Sequence, residues 1–422
     1  MNEITSDFRA DRTHFTEAAG LDKGPVSLEP YRSQAWFERE VEKVFKRAWL
    51  CLGRVERIKT PGDFFLEQID VAKASVIITR TRAGEVRAFH NVCSHRSNKV
   101  VLENSGNASR FVCRYHNWTY RNDGELIGVP DAANFFDLDK RKCGLTSIAC
   151  DVWEGWIFIN LQPEPEVTLE EFLGDYGEAF RGIPYPHAET SVLFVSRLRA
   201  NWKVIADAFA ETYHVPAIHP ATIGTTFASN DNPFARPISA NTWGPHRSFS
   251  TYGNPEYVPP EGAHVERLFY SNITTGNVLS AASLGDTETL LSHPAINPTK
   301  SESWAVDVNW IFPNFQIDVS PGGFWTHHFW PVSQDETRWE ARFYVPDAID
   351  VWQRLQQEHY IARLGEVLLE DVGNTERTQE GIASGAKSDM PLQDAEVLIR
   401  HNLKQLHKWV EADTVREALR PD

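Results

Sequence analysis

The stretch that decides the reading of this chain is AFHNVCSHRSNKV, residues 88–100, together with FVCRYHNWTYRNDGEL, residues 111–126. Cys93-Ser94-His95 and Cys113-Arg114-Tyr115-His116 each offer one thiolate and one imidazole, and seventeen residues separate His95 from Cys113. Structural zinc sites usually pair Cys with Cys at short spacing, and a lone Cys-x-His does not make a finger. Two Cys and two His suit a [2Fe–2S] cluster in which imidazoles replace both thiolates on one iron and raise its potential. A zinc site, or core cysteines beside surface histidines, is the alternative. Cys51, Cys143 and Cys150 read as small buried hydrophobes.

Outward from this stretch the pattern is one of strands. SVIITRTR and EVRAFHNV flank Ala83-Gly84, a hairpin signal, and short strand-like pieces run from Pro61-Gly62 to Trp156-Ile157-Phe158-Ile159. Gln162-Pro163-Glu164-Pro165-Glu166 cannot pair in a sheet, and Thr168 with Glu171 forms a capping box that opens a helix. A domain boundary is placed there. Upstream, Phe37, Val41, Val44, Phe45 and Trp49 recur at helical spacing, so a helix is expected over 31–50 after an extended arm over 1–30. Downstream the expectations are a helix over 200–214, loops over 222–262, strands over 304–345, a helix over 347–383 and an amphipathic helix over 391–419 beginning near Pro391. The organisation expected is an arm and helix (1–42), a β-rich domain (43–162) and a larger mixed domain (163–422).

Composition excludes several classes. With 422 residues there is room for two or three domains, and 41% hydrophobic with 24% charged residues describes a globular chain rather than a disordered or fibrous one. The 42 basic against 58 acidic side chains, a formal charge of −16, argue against nucleic acid as the main partner. No run approaches the ~18 apolar residues of a membrane span, and a polar N-terminus with no apolar core leads us to expect no secretory signal. Five cysteines fit a reducing compartment, so a cytoplasmic location is expected.

A second donor set lies in NWKVIADAFAETYHVPAIHP, residues 201–220. Asp207, Glu211 and His214 are spaced i, i+4, i+7 and would share one helix face. His219 would point away on a continuous helix, but Pro216 biases Val215 out of helical dihedrals, so the helix should end there and His219 can fold back beside His214. Two imidazoles and one carboxylate make the facial triad that holds Fe(II) with positions open for O2. The carboxylate is sought in LGEVLLEDVGNTERTQEG: Leu364, Val367, Leu368 and Asp371 lie on one apolar helix face, where a bare charge is costly unless paired or metal-bound. Asp371 is the candidate, with Glu370 the alternative.

These segments together resemble the Rieske non-haem iron oxygenases, large (alpha) subunit. The first matches the family's C-x-H-(15–17)-C-x2-H pattern, the second its (D/E)-x3-D-x2-H-x4-H pattern, and LLEDVGNTE its ED-x4-E segment; the likeness runs roughly from 35 to 385. Two departures fall at Ser97 and Asn117, where the family commonly has Gly, and a third at Glu211, where most members have Asp. No extra Cys stands in either cluster loop, as it would in the respiratory-chain Rieske proteins. The resemblance implies an α+β fold: an all-β Rieske [2Fe–2S] domain inserted near the N-terminus of a catalytic domain whose antiparallel sheet grips helices. It implies cluster ligands Cys93, His95, Cys113 and His116, and a mononuclear non-haem Fe(II) held by His214, His219 and Asp371. It also implies that Glu211, or failing that Asp207, bridges the cluster of one subunit to the iron of the next.

By the same resemblance, Ala208, Val215, Ile223, Trp310, Phe312, Asn314, Phe315 and Ile317 lie in segments that line the substrate cavity. The function implied is that of a terminal oxygenase, using O2 and electrons from a ferredoxin or an NAD(P)H-dependent reductase to hydroxylate an aromatic, xenobiotic-like substrate. The leaning is to monooxygenation with N- or O-dealkylation, after the Glu at 211; cis-dihydroxylation and quaternary-ammonium demethylation stay open. A homotrimer is expected, with or without a separate β subunit. Five basic residues between Arg96 and Arg121 against Glu103 alone could steer an acidic donor, or simply be a solvated surface. From other classes, a non-catalytic Rieske electron carrier and a zinc-binding module are the rivals.

Overall fold

The computed structural model describes residues 4–5, 12–186, 191–270 and 288–421, and the chain divides into two compact units. One comprises 41–172 with 414–416; the other comprises 1–40, 173–413 and 417–422. Among the described residues no helix is long and apolar enough to cross a membrane.

The first unit is built of β1 (Trp49–Arg54), β2 (Asp63–Ile69), β3 (Ala74–Arg80), β4 (Val86–His90), β5 (Ser105–Asn107), β6 (Arg110–Val112), β7 (Thr119–Arg121), β8 (Leu126–Gly128), β9 (Ser147–Trp153) and β10 (Trp156–Asn160). Among the described residues these form an antiparallel seven-stranded sheet, β1–β10–β9–β4–β3–β2–β5, and a three-stranded sheet, β8–β7–β6. The β3–β4 hairpin turns at Gly84, whose φ of 87° costs a glycine little. Phe64, Ile77, Phe89, Phe111 and Trp118 pack into one apolar cluster that also contains Cys93 and Cys113. Both hydrogen bonds of the Thr168–Glu171 capping box are made. The helix expected over 31–50 is shorter: it covers Gln34–Glu40, loosens to a π turn at Val41–Phe45, and Trp49 already starts β1. All six residues of β1 are buried, and burial on both faces is what a strand, rather than an amphipathic helix, supplies for Trp-Leu-Cys-Leu.

In the second unit Ile4–Thr5 pairs with β12 (Ser239–Trp243), followed across the sheet by β13 (His246–Tyr252), β14 (Trp304–Ile311), β15 (Phe315–Ser320), β16 (Gly323–Pro331), β17 (Thr337–Tyr344) and β11 (Ser191–Leu198), all antiparallel. Every residue of β15 and β16 is buried, so both faces of the sheet centre are covered. The loops expected over 222–262 therefore contain two strands and a helical turn, Gly224–Phe227. Most of the stretch, 228–238 and 253–262 included, is still loop and turn as its Ser, Thr, Asn, Pro and Gly density suggests, and Gly244-Pro245 turns one strand into the other.

The helices that matter here are α1 (Trp202–Ala208), α2 (Val215–Ile218), α3 (Val351–Ala383) and α4 (Val397–Glu411). α3 starts where Asp350 accepts the Gln353 N–H at 2.8 Å, one of the amides a helix start leaves unpaired. α4 begins at Val397, later than Pro391, behind a 3₁₀ turn with its own Gln393–Glu396 capping box. The expected N-terminal arm is anchored: Asp394 accepts the Phe15 and Thr16 amides at 2.7 and 3.0 Å, capping a short helix, Phe15–Ala18. Lys203 on α1 and Glu40 form a fully buried ion pair at 2.7 Å, and Trp36 and Trp202 also donate to that carboxylate, so its charge is matched on all sides.

Candidate metal centres

In the β-rich unit the two donor loops repeat one backbone pattern. The Ser97 amide donates to the Cys93 carbonyl and the Cys93 amide to the Asn98 carbonyl; the Asn117 amide donates to Cys113 and the Cys113 amide to Trp118, all at 2.8–2.9 Å. Closing such a turn needs positive φ at its fifth residue, and Ser97 (57°) and Asn117 (55°) both adopt it. Asn tolerates this region better than most side chains, which accounts for one departure from glycine; nothing in the structure favours Ser at 97. Asn91 pins the first loop, accepting from the Val100 and Val101 amides and donating to the Val101 carbonyl.

The loops bring the four donors together. His95 and His116 have ring centroids 4.6 Å apart, and His95 lies flat on Trp118 at 5.0 Å. Both thiols are buried; Tyr120 Oη lies 3.2 Å from Cys93 Sγ while accepting the Ser94 amide. Burial works to raise the Cys113 pKa, but the Tyr115 and His116 amides, Cys93 and Asn98 outweigh it and hold the thiol below its ordinary value. His95 Nδ1 is buried with no hydrogen-bond partner, a costly state for an imidazole that a metal would relieve. Donor chemistry and burial thus fit a two-Cys, two-His iron–sulfur cluster.

In the larger unit the expected helix over 200–214 stops at Ala208. Asp207, Glu211 and His214 therefore do not share a helix face. Asp207 instead accepts from Tyr31 Oη at 2.6 Å, and burial raises its carboxyl to about 7 against the opposing pull of Tyr31, Arg247 and Lys203. His214 is the residue before α2, with Pro216 in that helix's first turn, where a missing N–H is harmless. Pro216 thus starts a helix rather than ending one. His219 closes α2, its amide bonded to Val215, and the two rings stand 5.2 Å apart. Gly224 donates to the His219 carbonyl at 2.8 Å, and a Cβ there would come within 2.9 Å of the same oxygen.

Asp371 reaches this pair from the buried face of α3, where Leu364, Val367 and Leu368 are buried beside it. Its Oδ1 lies 3.1 Å from His219 Nε2 and 3.5 Å from His214 Nε2, and one ligand atom from each residue falls within 4.8 Å of the others. Ligands at about 2.1 Å from a common ion and at right angles stand about 3 Å apart, so the set fits one ion. Each histidine's other nitrogen meets a carboxylate: His214 Nδ1 meets Glu211, which also accepts the His214 amide, and His219 Nδ1 meets Glu370 at 2.6 Å. Burial works to lower the His214 pKa, but the Glu211 hydrogen bond and charge, with Asp371, raise it overall. Thr222 donates to Glu370 at 2.5 Å, and the Arg363 guanidinium holds the Thr222 carbonyl at 2.6 Å. Glu370, weighed in the sequence as an alternative to Asp371, faces away from the third-ligand position and orients His219 instead; helical spacing signals this, since adjacent residues point about 100° apart.

A cavity of about 110 Å³, where a water needs about 10–15 Å³ on the same measure, is bounded by all three candidate ligands. Ala208, Val215 and Ile223 line it as expected; Trp310, Phe312, Asn314, Phe315 and Ile317 do not. Phe315 and Ile317 lie on the opposite face of β15 from Gln316 and Asp318, which do line it, and a strand's alternation decides which set faces in. Trp310 is cross-strand from Gln316 but is covered by the Arg247 guanidinium, 4.4 Å from its ring centroid, and by Phe329. Val306, Val308, Trp325 and His327 were missed for the same reason: the sheet's register cannot be read from one strand.

Residues 178–412 match a family described as the ring hydroxylating alpha subunit (catalytic domain), and residues 48–148 match the Rieske [2Fe-2S] domain. The chain is 33% identical over 220 residues to the N,N-dimethyl phenylurea N-demethylase subunit alpha of Sphingobium sp. (strain YBL2), covering 50% of this chain and 47% of that protein. It is 32% identical over 203 residues to the glycine betaine monooxygenase oxygenase subunit of Pseudomonas aeruginosa, covering 48% and 46%. These matches span about half the length of each relative. Among solved structures, the quaternary ammonium Rieske monooxygenase CntA with L-carnitine superimposes with a TM-score of 0.69 at 21% identity over 93% of this chain and 98% of that one. Naphthalene 1,2-dioxygenase from Rhodococcus sp. does so at 0.71 and 22% over 95% and 96%; at such identities the likeness is one of fold. With both units matched in this order, the chain belongs to the ring-hydroxylating alpha subunits that carry a Rieske [2Fe–2S] domain and a mononuclear iron.

Proposed function

We propose that this chain is the terminal oxygenase of a multicomponent system, hydroxylating an aromatic substrate with O2 and leaning to N- or O-dealkylation. The observation that carries the reading is the set His214, His219 and Asp371, three ligand atoms within 4.8 Å at the wall of a largely apolar cavity. Iron bound there supplies O2 activation, with electrons from a [2Fe–2S] cluster held by Cys93, His95, Cys113 and His116. Glu211 and Glu370 each keep a proton on the Nδ1 they face, which turns both Nε2 lone pairs towards Asp371 and the ion. Glu211 is the residue we assign to the bridge from a neighbouring subunit's cluster, in a homotrimer; Asp207, already bonded to Tyr31, is not. Apolar walls from Val215, Val306, Val308 and Leu368 keep water from the site.

The electron donor we assign is a ferredoxin or an NAD(P)H-linked reductase. Arg114 pairs with Glu103 and Arg121 with Glu125, so the basic surface is smaller than its sequence count; Arg96, Lys99 and Arg110 have no acidic partner among the described residues. A second reading, demethylation of a quaternary ammonium, is favoured by the aromatic rings of Phe227, Phe249, Trp325 and Phe343 on the cavity wall, which can face a cation. The relatives' names point both ways, one to a phenylurea N-demethylase and one to a glycine betaine monooxygenase. The test is oxygen uptake and formaldehyde release by the iron-loaded protein with a ferredoxin, a reductase and NADH. N-methyl and O-methyl arenes should release formaldehyde in step with oxygen; oxygen uptake without product from any aromatic would contradict the reading.

A further inference from the structure

The apolar cavity has one polar patch that the metal site does not use, on the facing strands β15 and β16. Gln316 and His327 are cross-strand partners, as are Asp318 and Trp325, and all four side chains line the cavity. Asp318 is 3% exposed and Trp325 7%. The Gln316 amide donates to both Asp318 oxygens at 2.9 and 3.0 Å, and His327 Nε2 stands 3.0 Å from Oδ2. Trp339 Nε1 points at His327 Nδ1 from 3.2 Å, and Trp325 Nε1 at His327 Nε2 from 3.1 Å.

Proton counting resolves this group. An indole N–H only donates, so Trp339 requires a bare Nδ1, and a neutral imidazole then carries its proton on Nε2, where it serves Asp318. The Trp325 N–H is thereby left facing another N–H, without an acceptor. The opposite tautomer is worse, opposing Nδ1–H to Trp339 and a lone pair to Asp318 at once. With His327 neutral, and no Lys or Arg within ion-pair distance among the described residues, the Asp318 charge is met only by neutral donors. One strand therefore presents a charged acceptor with spare lone pairs, and its neighbour a donor with nothing to bond.

We propose that this pair recognises a substrate carrying an N–H beside a carbonyl, an aryl carboxamide or arylurea, with the N–H on Asp318 and the carbonyl on the Trp325 indole. The inference rests on the oxygenase reading and narrows it. A tetraalkylammonium offers neither the donor nor the acceptor, and a plain arene would leave both protein groups unpaired in an apolar cavity.

The test is calorimetric binding to the iron-loaded holoenzyme, which needs no turnover. The probes are an N-aryl-N′,N′-dimethylurea, its analogue methylated at the remaining N–H, a carbonyl-free N-alkylaniline and an aryltrimethylammonium. The N–H urea should bind roughly 10–100-fold more tightly than its methylated analogue, the range for a hydrogen bond to a charged group. Asp318→Asn should shrink that ratio several-fold, and Trp325→Phe should weaken both carbonyl ligands several-fold more than it weakens the alkylaniline; thermal melts confirm that each variant is folded. Equal affinity for the two ureas, or a ratio untouched by Asp318→Asn, overturns the proposal, as does tightest binding of the trimethylammonium. The predicted binding pattern with no oxygen uptake on any probe would support the patch while refuting the oxygenase reading.

Discussion

In the β-rich unit all four candidate ligands come from two loops that repeat one turn, while in the larger unit two candidate ligands flank a four-residue helix and the third arrives on another helix far along the chain. The histidines are oriented differently too. His95 lies flat against Trp118 with its Nδ1 unpartnered, whereas His214 and His219 each have a carboxylate on the nitrogen turned away from Asp371. One site is shaped by backbone conformation and ring packing, the other by charged side chains. They should therefore break in different ways.

The largest difference is expected from removing a ligand in the larger unit. His219→Ala should abolish oxygen uptake coupled to product, by about 10³-fold or more, while the visible absorption of the cluster is retained; bleaching of that absorption would show that the sites are not built independently. Next in size is the clamp. Glu370→Gln should lower iron affinity by about 10–100-fold and leave the cluster untouched, as followed by iron titration and absorbance. Tyr120→Phe should do the converse, shifting the cluster's reduction potential, because the lost hydroxyl is 3.2 Å from Cys93 Sγ, with no change in iron affinity.

Smaller effects sharpen the same contrast. Asp207 has a folded pKa of about 7 against about 3.9 unfolded. Between those values the folded chain binds more protons, so this residue makes stability fall as pH rises from about 4 to about 7 and then level off. Asp207→Asn should flatten that slope, read as the change in denaturation midpoint between pH 5 and pH 8. In the cluster loop, Asn117→Gly should change stability by no more than about 0.5 kcal/mol, while Asn117→Val should cost about 1–2 kcal/mol for its left-handed backbone.

The cluster loops were legible because their chemistry is local: both donor pairs fall inside 24 residues and need only a turn to meet. The pair His214–His219 was legible for the same reason, though not the path, since a helix to residue 214 was expected and α1 ends at Ala208. Asp371 stands out because an acid on an apolar helical face is anomalous by itself, and the structure places it beside the two histidines. What stayed hidden depends on sheet register. Trp310 and Gln316 share a face, yet only Gln316 reaches the cavity, because Arg247 and Phe329 cover the indole, and nothing along β14 foretells that. The Ser- and Thr-rich strands β12 and β13 were hidden by composition, since what makes them strands is pairing with partners the local pattern does not show, and in β13 Ser250 and Thr251 bond to Asp307 and the Val306 carbonyl, more than fifty residues away.

Two metal sites of different construction in one chain should empty one at a time. Counting iron and acid-labile sulfide in parallel for the parent protein, Asp371→Ala and Cys113→Ser tests it most directly. The parent should hold about three irons and two sulfides, Asp371→Ala should lose one iron with sulfide unchanged, and Cys113→Ser should lose both sulfides with the mononuclear iron retained. Zinc without sulfide in the parent, or sulfide lost from Asp371→Ala, would contradict it.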